Sequence, residues 1–180
     1  MTDFVGFKKI TRLSREMIVS EKIDGTNGQI FIGEDGEFLV GKRSGWITPD
    51  NDNYGFAAWA YDNRNKLITG LGPGRHYGEW WGHGINRGYG LPKGDRRFSL
   101  FNVNRWYSAI NRPACCYVVP VINVSQFDMM TVRYCLDYLV TNGSLAAPGY
   151  MKPEGVVVMH KPSGYLFKKT IEKDEGKNEK

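Results

Sequence analysis

The sequence predicts an α+β domain, antiparallel sheets with two or three helices set among the strands. Three observations carry this. Two segments read as strand–turn–strand hairpins, one around Glu34-Asp35-Gly36 and one around Pro162-Ser163-Gly164. Two other segments space apolar residues as a helix does. Helices also fail to alternate regularly with strands, as a parallel α/β sheet would require. At 180 residues and 20.4 kDa the chain can close one core without disulfides or a structural metal.

Taken in order, Met17 to Ile23 is extended in character and runs into the turn-rich Asp24-Gly25-Thr26-Asn27-Gly28. Gln29 to Gly33 and Glu37 to Lys42 form the first hairpin, turned by Asp35-Gly36. Thr48 to Asn53 reads as a polar loop. Phe56, Trp59, Ala60, Asn63 and Leu67 then predict one helix ending near Gly70. His76 to Trp81 is a strand. Gly82 to Gly94, with five glycines and a proline, is expected to be a mobile loop. Arg97 to Val103 and Tyr117 to Val124 read as two further strands, the second buried. Ser125 and Asp128 can cap a helix whose face is Met129, Val132, Leu136, Leu139 and Val140, stopped by Asn142-Gly143. Gly155 to Lys161 and Tyr165 to Ile171 make the last hairpin. A domain over 1–171 followed by a charged, disordered tail over 172–180 is the expected division.

Composition narrows the function classes. Apolar residues at 41% and charged residues at 24% exclude a disordered or fibrous chain. Pro120 and Asn123 interrupt the longest apolar run, so no membrane span is expected. Three cysteines without a C-x-x-C pattern, and no hydrophobic leader, fit a reduced, cytoplasmic protein. A net charge of +5 suits a polyanionic partner such as nucleotide or nucleic acid, or simple solubility.

The most informative segment is Glu21-Lys22-Ile23-Asp24-Gly25-Thr26-Asn27-Gly28. If Lys22 ends a strand, it shares a face with Asp24, and the glycines let backbone approach a ligand. A lysine there can contact phosphate or act as a nucleophile; a surface lysine at a hairpin entry is the plain alternative.

Lys22-Ile23-Asp24-Gly25 resembles the Lys-x-Asp-Gly nucleotidyl-acceptor motif of the covalent nucleotidyltransferases, the polynucleotide ligases and mRNA capping enzymes. The longer Glu-Lys-Ile-Asp-Gly-Thr-Asn string most resembles the ATP-dependent RNA ligases, in particular phage enzymes that seal nicked duplex RNA. Five more segments resemble that superfamily's motifs in order: Lys42-Arg43-Ser44-Gly45, Tyr77 to Gly82, Phe98 to Val103, Pro153 to Val158, and Phe167 to Thr170. The resemblance spans residues 17 to 171.

It implies an ATP-grasp-like, DNA ligase adenylation-type nucleotidyltransferase domain. It implies catalytic roles for Lys22, Asp24, Lys168 and Lys169. It implies ATP contacts from Glu21, Arg43, Glu79, Phe101 and Lys168, with Glu79 on the ribose hydroxyls and Phe101 stacked on adenine. Glu154 would hold Mg²⁺ or Mn²⁺. The Lys22 amine would attack the α-phosphate of ATP, and AMP would pass to a 5′-phosphate end and be displaced by a 3′-hydroxyl. Lys168, Arg43 and the metal would favour the neutral amine and neutralise the phosphates. The expected partners are ATP, RNA or DNA ends, and a protein that supplies grip, since only nine residues follow Ile171. The cytoplasm, of a host if the chain is phage-encoded, is the expected place. A minimal DNA ligase, a GTP-using capping-type transferase and a silent end-binding domain are the alternatives.

Two departures bear on them. Asn102 stands where the family usually has aspartate, and Lys168 and Lys169 are adjacent rather than two apart. Adjacent strand residues face opposite ways, and Lys168 is the favoured match.

The remaining candidates have plainer readings. His76, Glu79 and His83 are poorly spaced for zinc. His160 reads as a satisfied structural histidine, and Cys115-Cys116 as packing, with nothing nearby to lower a thiol pKa. Most of Trp80, Trp81, Trp106 and Tyr107 suit core or hairpin packing better than base stacking. Asn86 to Gly90 through Arg96-Arg97 reads either as a flexible nucleic-acid contact or as a solvated loop.

Overall fold

The structure is a computed structural model and describes residues 2–172. The tail expected over 172–180 therefore lies outside the described residues apart from Glu172. Ten strands form two sheets. One has four strands, ordered β10-β9-β1-β8: β1 (Glu16–Lys22), β8 (Val121–Gln126), β9 (Gly155–His160) and β10 (Tyr165–Thr170). The other has six, ordered β4-β3-β2-β5-β6-β7: β2 (Thr26–Ile32), β3 (Phe38–Lys42), β4 (Gly45–Ile47), β5 (Gly74–Gly82), β6 (Arg96–Leu100) and β7 (Cys116–Val118). All pairs are antiparallel except β6–β7. That parallel pair departs from the expected antiparallel sheets, and a crossover through a short helix makes it possible.

Three apolar clusters explain the layering. Ile30, Val40, Phe98 and Leu100, on one face of the six-stranded sheet, pack on Phe56, Ala60 and Leu67 of α1 (Phe56–Asp62) and α2 (Arg64–Leu71). Met17, Val19, Val156 and Val158, on one face of the four-stranded sheet, pack on α4 (Met129–Asn142). Ile18, Ile23, Trp81, Tyr89, Val103 and Val119 join the two sheets to each other.

Both hairpins form as the turn residues require. Asp128 caps α4 by accepting from the Met130 and Thr131 amides, and Gly143 ends it. Its buried face is Val132, Cys135, Leu136 and Leu139; Met129 and Val140 are exposed, against expectation, because they lie at the edge of the apolar stripe.

Other expectations change. The single helix over 56–70 is two, because the Asn63 side chain donates to the Trp59 carbonyl and turns the chain there. The strand expected over 97–103 stops at Leu100; Asn102 caps the one-turn helix α3 (Val103–Trp106) by accepting from the Arg105 amide. The strand expected over 117–124 is two strands in different sheets, parted at Val119-Pro120, where proline has no amide for a ladder. The loop over 82–94 is pinned: Tyr89 is 2% exposed, its ring 5.1 Å from Trp81 and 4.7 Å from Tyr150.

Candidate active site

A cavity of about 860 Å³ lies between the sheets. Strand alternation decides what faces it. On β1, Ile18, Ser20 and Lys22 look into the cavity, while Met17 and Val19 pack on α4. Across the sheet Ser20 stands opposite Val157, and Val157 opposite Lys168, so Lys168 shares the cavity face. Lys169 pairs in the row of Val156 and Glu21, on the other face. The lysine adjacency is thus resolved by register, with Lys168 at the cavity and Lys169 away from it.

Lys22 Nζ donates to Glu154 Oε2 at 2.6 Å, with both side chains largely buried. Glu154 sits at the entrance to β9, beside the end of β1. Arg43 lies at the exposed rim in the β3–β4 turn, and Phe101 lies half-exposed at the far wall. Asn102 also lines the cavity, and its amide oxygen is committed to the α3 cap.

Glu79 is 9% exposed and accepts from the Gly25 amide at 3.0 Å and from Asn27 Nδ2 at 3.4 Å. Burial pushes its carboxyl up to about 7; the Gly25 amide and Lys22 oppose this, while Glu154 and Asp24 add to it. Gly25 is needed for this approach. A Cβ there would lie 2.4 Å from the Trp80 carbonyl oxygen and 2.7 Å from Trp81 Cβ.

Two expected site residues that line the cavity, Glu21 and Asp24, are also tied into the scaffold. Glu21 borders the cavity, but its carboxylate accepts from Ser144 Oγ at 2.6 Å and from the Leu145 and Ala146 amides at 2.8 and 2.9 Å. Those bonds anchor the segment after α4. Burial raises the Glu21 carboxyl, and the three donors pull against it. Asp24 is bound by Arg87 Nε at 3.0 Å and Asn86 Nδ2 at 2.9 Å, while its own amide donates to the Tyr89 hydroxyl at 2.9 Å. Burial raises the Tyr89 phenol, which keeps it a neutral partner.

Sequence reading missed this clasp. Arg87 also donates to the Lys152 carbonyl and reaches Glu172 at 3.5 Å. One guanidinium therefore ties together the segments that carry Lys22, Glu154 and Lys168. Arg96 donates to the His83 and Tyr54 carbonyls, and Arg97 pairs with Asp95. The arginines of the Gly- and Arg-rich run are held by internal partners, while Asn86, Gly90 and Pro92 to Gly94 stay exposed. The clasp's only sequence signal was the run of glycines. Asn86 and Tyr89 hold φ of 44° and 52°, strain the clasp compensates.

His76 faces the core, its Nε2 2.9 Å from the Gly72 carbonyl and its ring against Trp106, so it does not meet Glu79. His160 is satisfied by Ser163 and the Leu13 carbonyl, as expected. Cys115 corrects the expectation that nothing nearby lowers the thiol: a hydrogen bond from the free Cys116 thiol pulls it down. Among the described residues no group of three or more His, Cys, Asp or Glu could hold a metal, and no helix is long and apolar enough to cross a membrane.

Comparison with known proteins places this geometry. The family model described as RNA ligase matches residues 15–170. The chain belongs to the RNA ligase family. We found no match among curated protein sequences. Among solved structures this family member is similar to a Naegleria gruberi RNA ligase mutant with ATP and Mn, at TM-score 0.64 and 19% identity, covering 88% of this chain and 50% of that one. A second mutant of that ligase with ATP and Mn gives TM-score 0.63 at 19% identity, covering 87% and 50%. An apo mutant gives 0.60 at 20% identity, covering 87% and 50%. The fold is therefore that of the RNA ligases, and the chain spans about half the length of these relatives.

Proposed function

We propose that the chain is an ATP-dependent RNA ligase that works through Lys22. The observation that carries the reading is the Lys22–Glu154 pair, 2.6 Å apart, with Lys22 in the wall of a cavity that also holds Lys168 and Glu79. The Lys22 nitrogen would form a bond to the α-phosphorus of ATP as the bond to the bridging oxygen breaks and pyrophosphate leaves. Phosphoryl transfer needs positioning and charge neutralisation more than covalent help. Lys168 supplies fixed positive charge at the phosphates, Arg43 adds more at the rim, and Phe101 offers a half-exposed ring for the base.

Lys22 must lose a proton before it attacks. In the free chain Glu154 holds the ammonium, so this pair is a resting arrangement. A single carboxylate suits a Mg²⁺ or Mn²⁺ ion that keeps its waters and phosphate oxygens. Glu154 would hold the ion, which supplies positive charge beside the phosphates. Glu79 would accept from the ribose hydroxyls, and the Arg87 clasp would keep the Lys22 turn in place. AMP would then pass to a 5′-phosphate RNA end and yield to a 3′-hydroxyl. In this reading the chain acts in the cytoplasm, with a partner protein adding grip on RNA.

Intact mass after incubation with ATP and magnesium tests the proposal. Wild type should gain one AMP and Lys22→Ala none. No gain in a protein that still binds ATP would overturn it in favour of a silent end-binding domain.

A further inference from the structure

The cavity-side face of the six-stranded sheet continues past the cavity rim, and register fixes what stands on it. Glu79 pairs with Asn27, Tyr77 with Gln29 and Arg75 with Phe31, while Gly41 pairs with both Gln29 and Trp46. Directly opposed residues share a face. Tyr77, Arg75, Phe31 and Trp46 therefore lie on the same side as Glu79; Tyr77 and Arg75 still line the cavity, and Phe31 and Trp46 lie beyond its rim. Same-face residues on a strand stand about 7 Å apart, so Glu79, Tyr77 and Arg75 make a row about 14 Å long.

This strip is built unlike a core or an ordinary surface. Trp46 is 48% exposed and Tyr77 51% exposed. The Trp46 indole lies across Gly41, where a Cβ would come within 3.0 Å of the ring. The Arg75 guanidinium rests over Phe31 at 4.7 Å and over Trp46 at 5.5 Å. Among the described residues no carboxylate lies within ion-pair distance of Arg75 or of Arg43 at the rim. Half-exposed rings beside cations without a carboxylate partner suit a chain that alternates flat bases with phosphates.

We propose that Trp46, Arg75 and Tyr77 seat the single RNA strand whose 5′-phosphate end enters the cavity. Bases stack on Trp46 and Tyr77, and Arg75 and Arg43 face the phosphates. Stacking tolerates any base, so this seat holds an end without selecting its sequence. The assignment rests on the ligase reading above but has its own test.

The probe is a 5′-phosphorylated single-stranded RNA dodecamer, its affinity read by fluorescence anisotropy over a salt series, beside the mass assay for the AMP adduct. Trp46→Ala should weaken RNA binding about tenfold, the loss of one stacked base, and should leave adduct formation within twofold. Trp46→Phe should restore binding to within threefold. Trp46→Leu, which keeps an apolar cover over Gly41 without a ring face, should bind as poorly as Trp46→Ala and serves if alanine compromises folding. Arg75→Gln should lower the salt slope by about one. Unchanged RNA affinity in Trp46→Ala and Trp46→Leu, or no RNA binding by wild type, would overturn the seat. RNA binding that depends on Trp46 in a chain that forms no adduct would support the seat and overturn the ligase reading instead.

Discussion

Glu79→Gln should change how stability depends on pH, and the size of the change follows from the buried carboxyl. Its ordinary value is 4.5 in the unfolded chain and about 7 in the folded one. The folded state therefore binds the proton more tightly, and the stabilisation it brings is complete below about 4.5 and lost as pH rises through about 7. At about 1.4 kcal/mol per tenfold in affinity, the full effect is about 3 kcal/mol, of which about 2–3 kcal/mol falls between pH 5 and pH 8. Glutamine keeps an oxygen for the Gly25 amide and cannot titrate. Urea midpoints of both proteins, without ATP or metal, give the difference at each pH. Wild type should lose about 2–3 kcal/mol relative to Glu79→Gln across that range. Glu21, also raised by burial, cancels in the comparison because both proteins carry it. Parallel curves would refute the reasoning and show that the Gly25 amide and Lys22 outweigh burial.

Other expectations are simpler to state. Arg87→Ala should slow AMP-adduct formation at least tenfold and lower stability by about 1–3 kcal/mol, since it frees Asp24 and the Lys152 carbonyl together; Arg87→Lys should recover only part of either, as read by mass spectrometry and urea melts. Glu21→Gln should cost about 2–3 kcal/mol in a denaturant titration, because three donors converge on its carboxylate and an amide can satisfy them only in part. Leu139→Ala, fully buried under the four-stranded sheet, should cost about 3 kcal/mol in the same titration and leave the adduct formed by the surviving folded protein unchanged. Glu154→Ala should slow adduct formation strongly and reduce its dependence on magnesium, measured over a magnesium series.

What the sequence discloses is what nearby residues decide. Asp35-Gly36 turns the first hairpin and Asp128 caps α4 because each acts within a few residues of itself. The motif segments could be found for the same reason: each is a short string. The lysine pair at 168–169 was half legible, since alternation says that only one faces the cavity but only the pairing with Val157 says which. The clasp was hidden because Arg87 meets Asp24 across 63 positions of sequence. The role of Glu21 was hidden likewise, since its partners at 144–146 lie beyond the whole six-stranded sheet, β8 and α4. Proline 120 announced an interruption, but not that the chain would change sheets there.

That change of sheet has a mechanical consequence. Among the described residues the chain passes between the sheets twice, at Ile23 to Gly25 and at Val119-Pro120. The second passage is bonded to β1 just before the first, since the Glu21 amide donates to the Pro120 carbonyl at 2.9 Å. They act as the spine of a book whose covers are the two sheets. On the β9–β10 side Arg87 latches the covers through the Lys152 carbonyl and Glu172, so Lys22 sits between a spine and a latch.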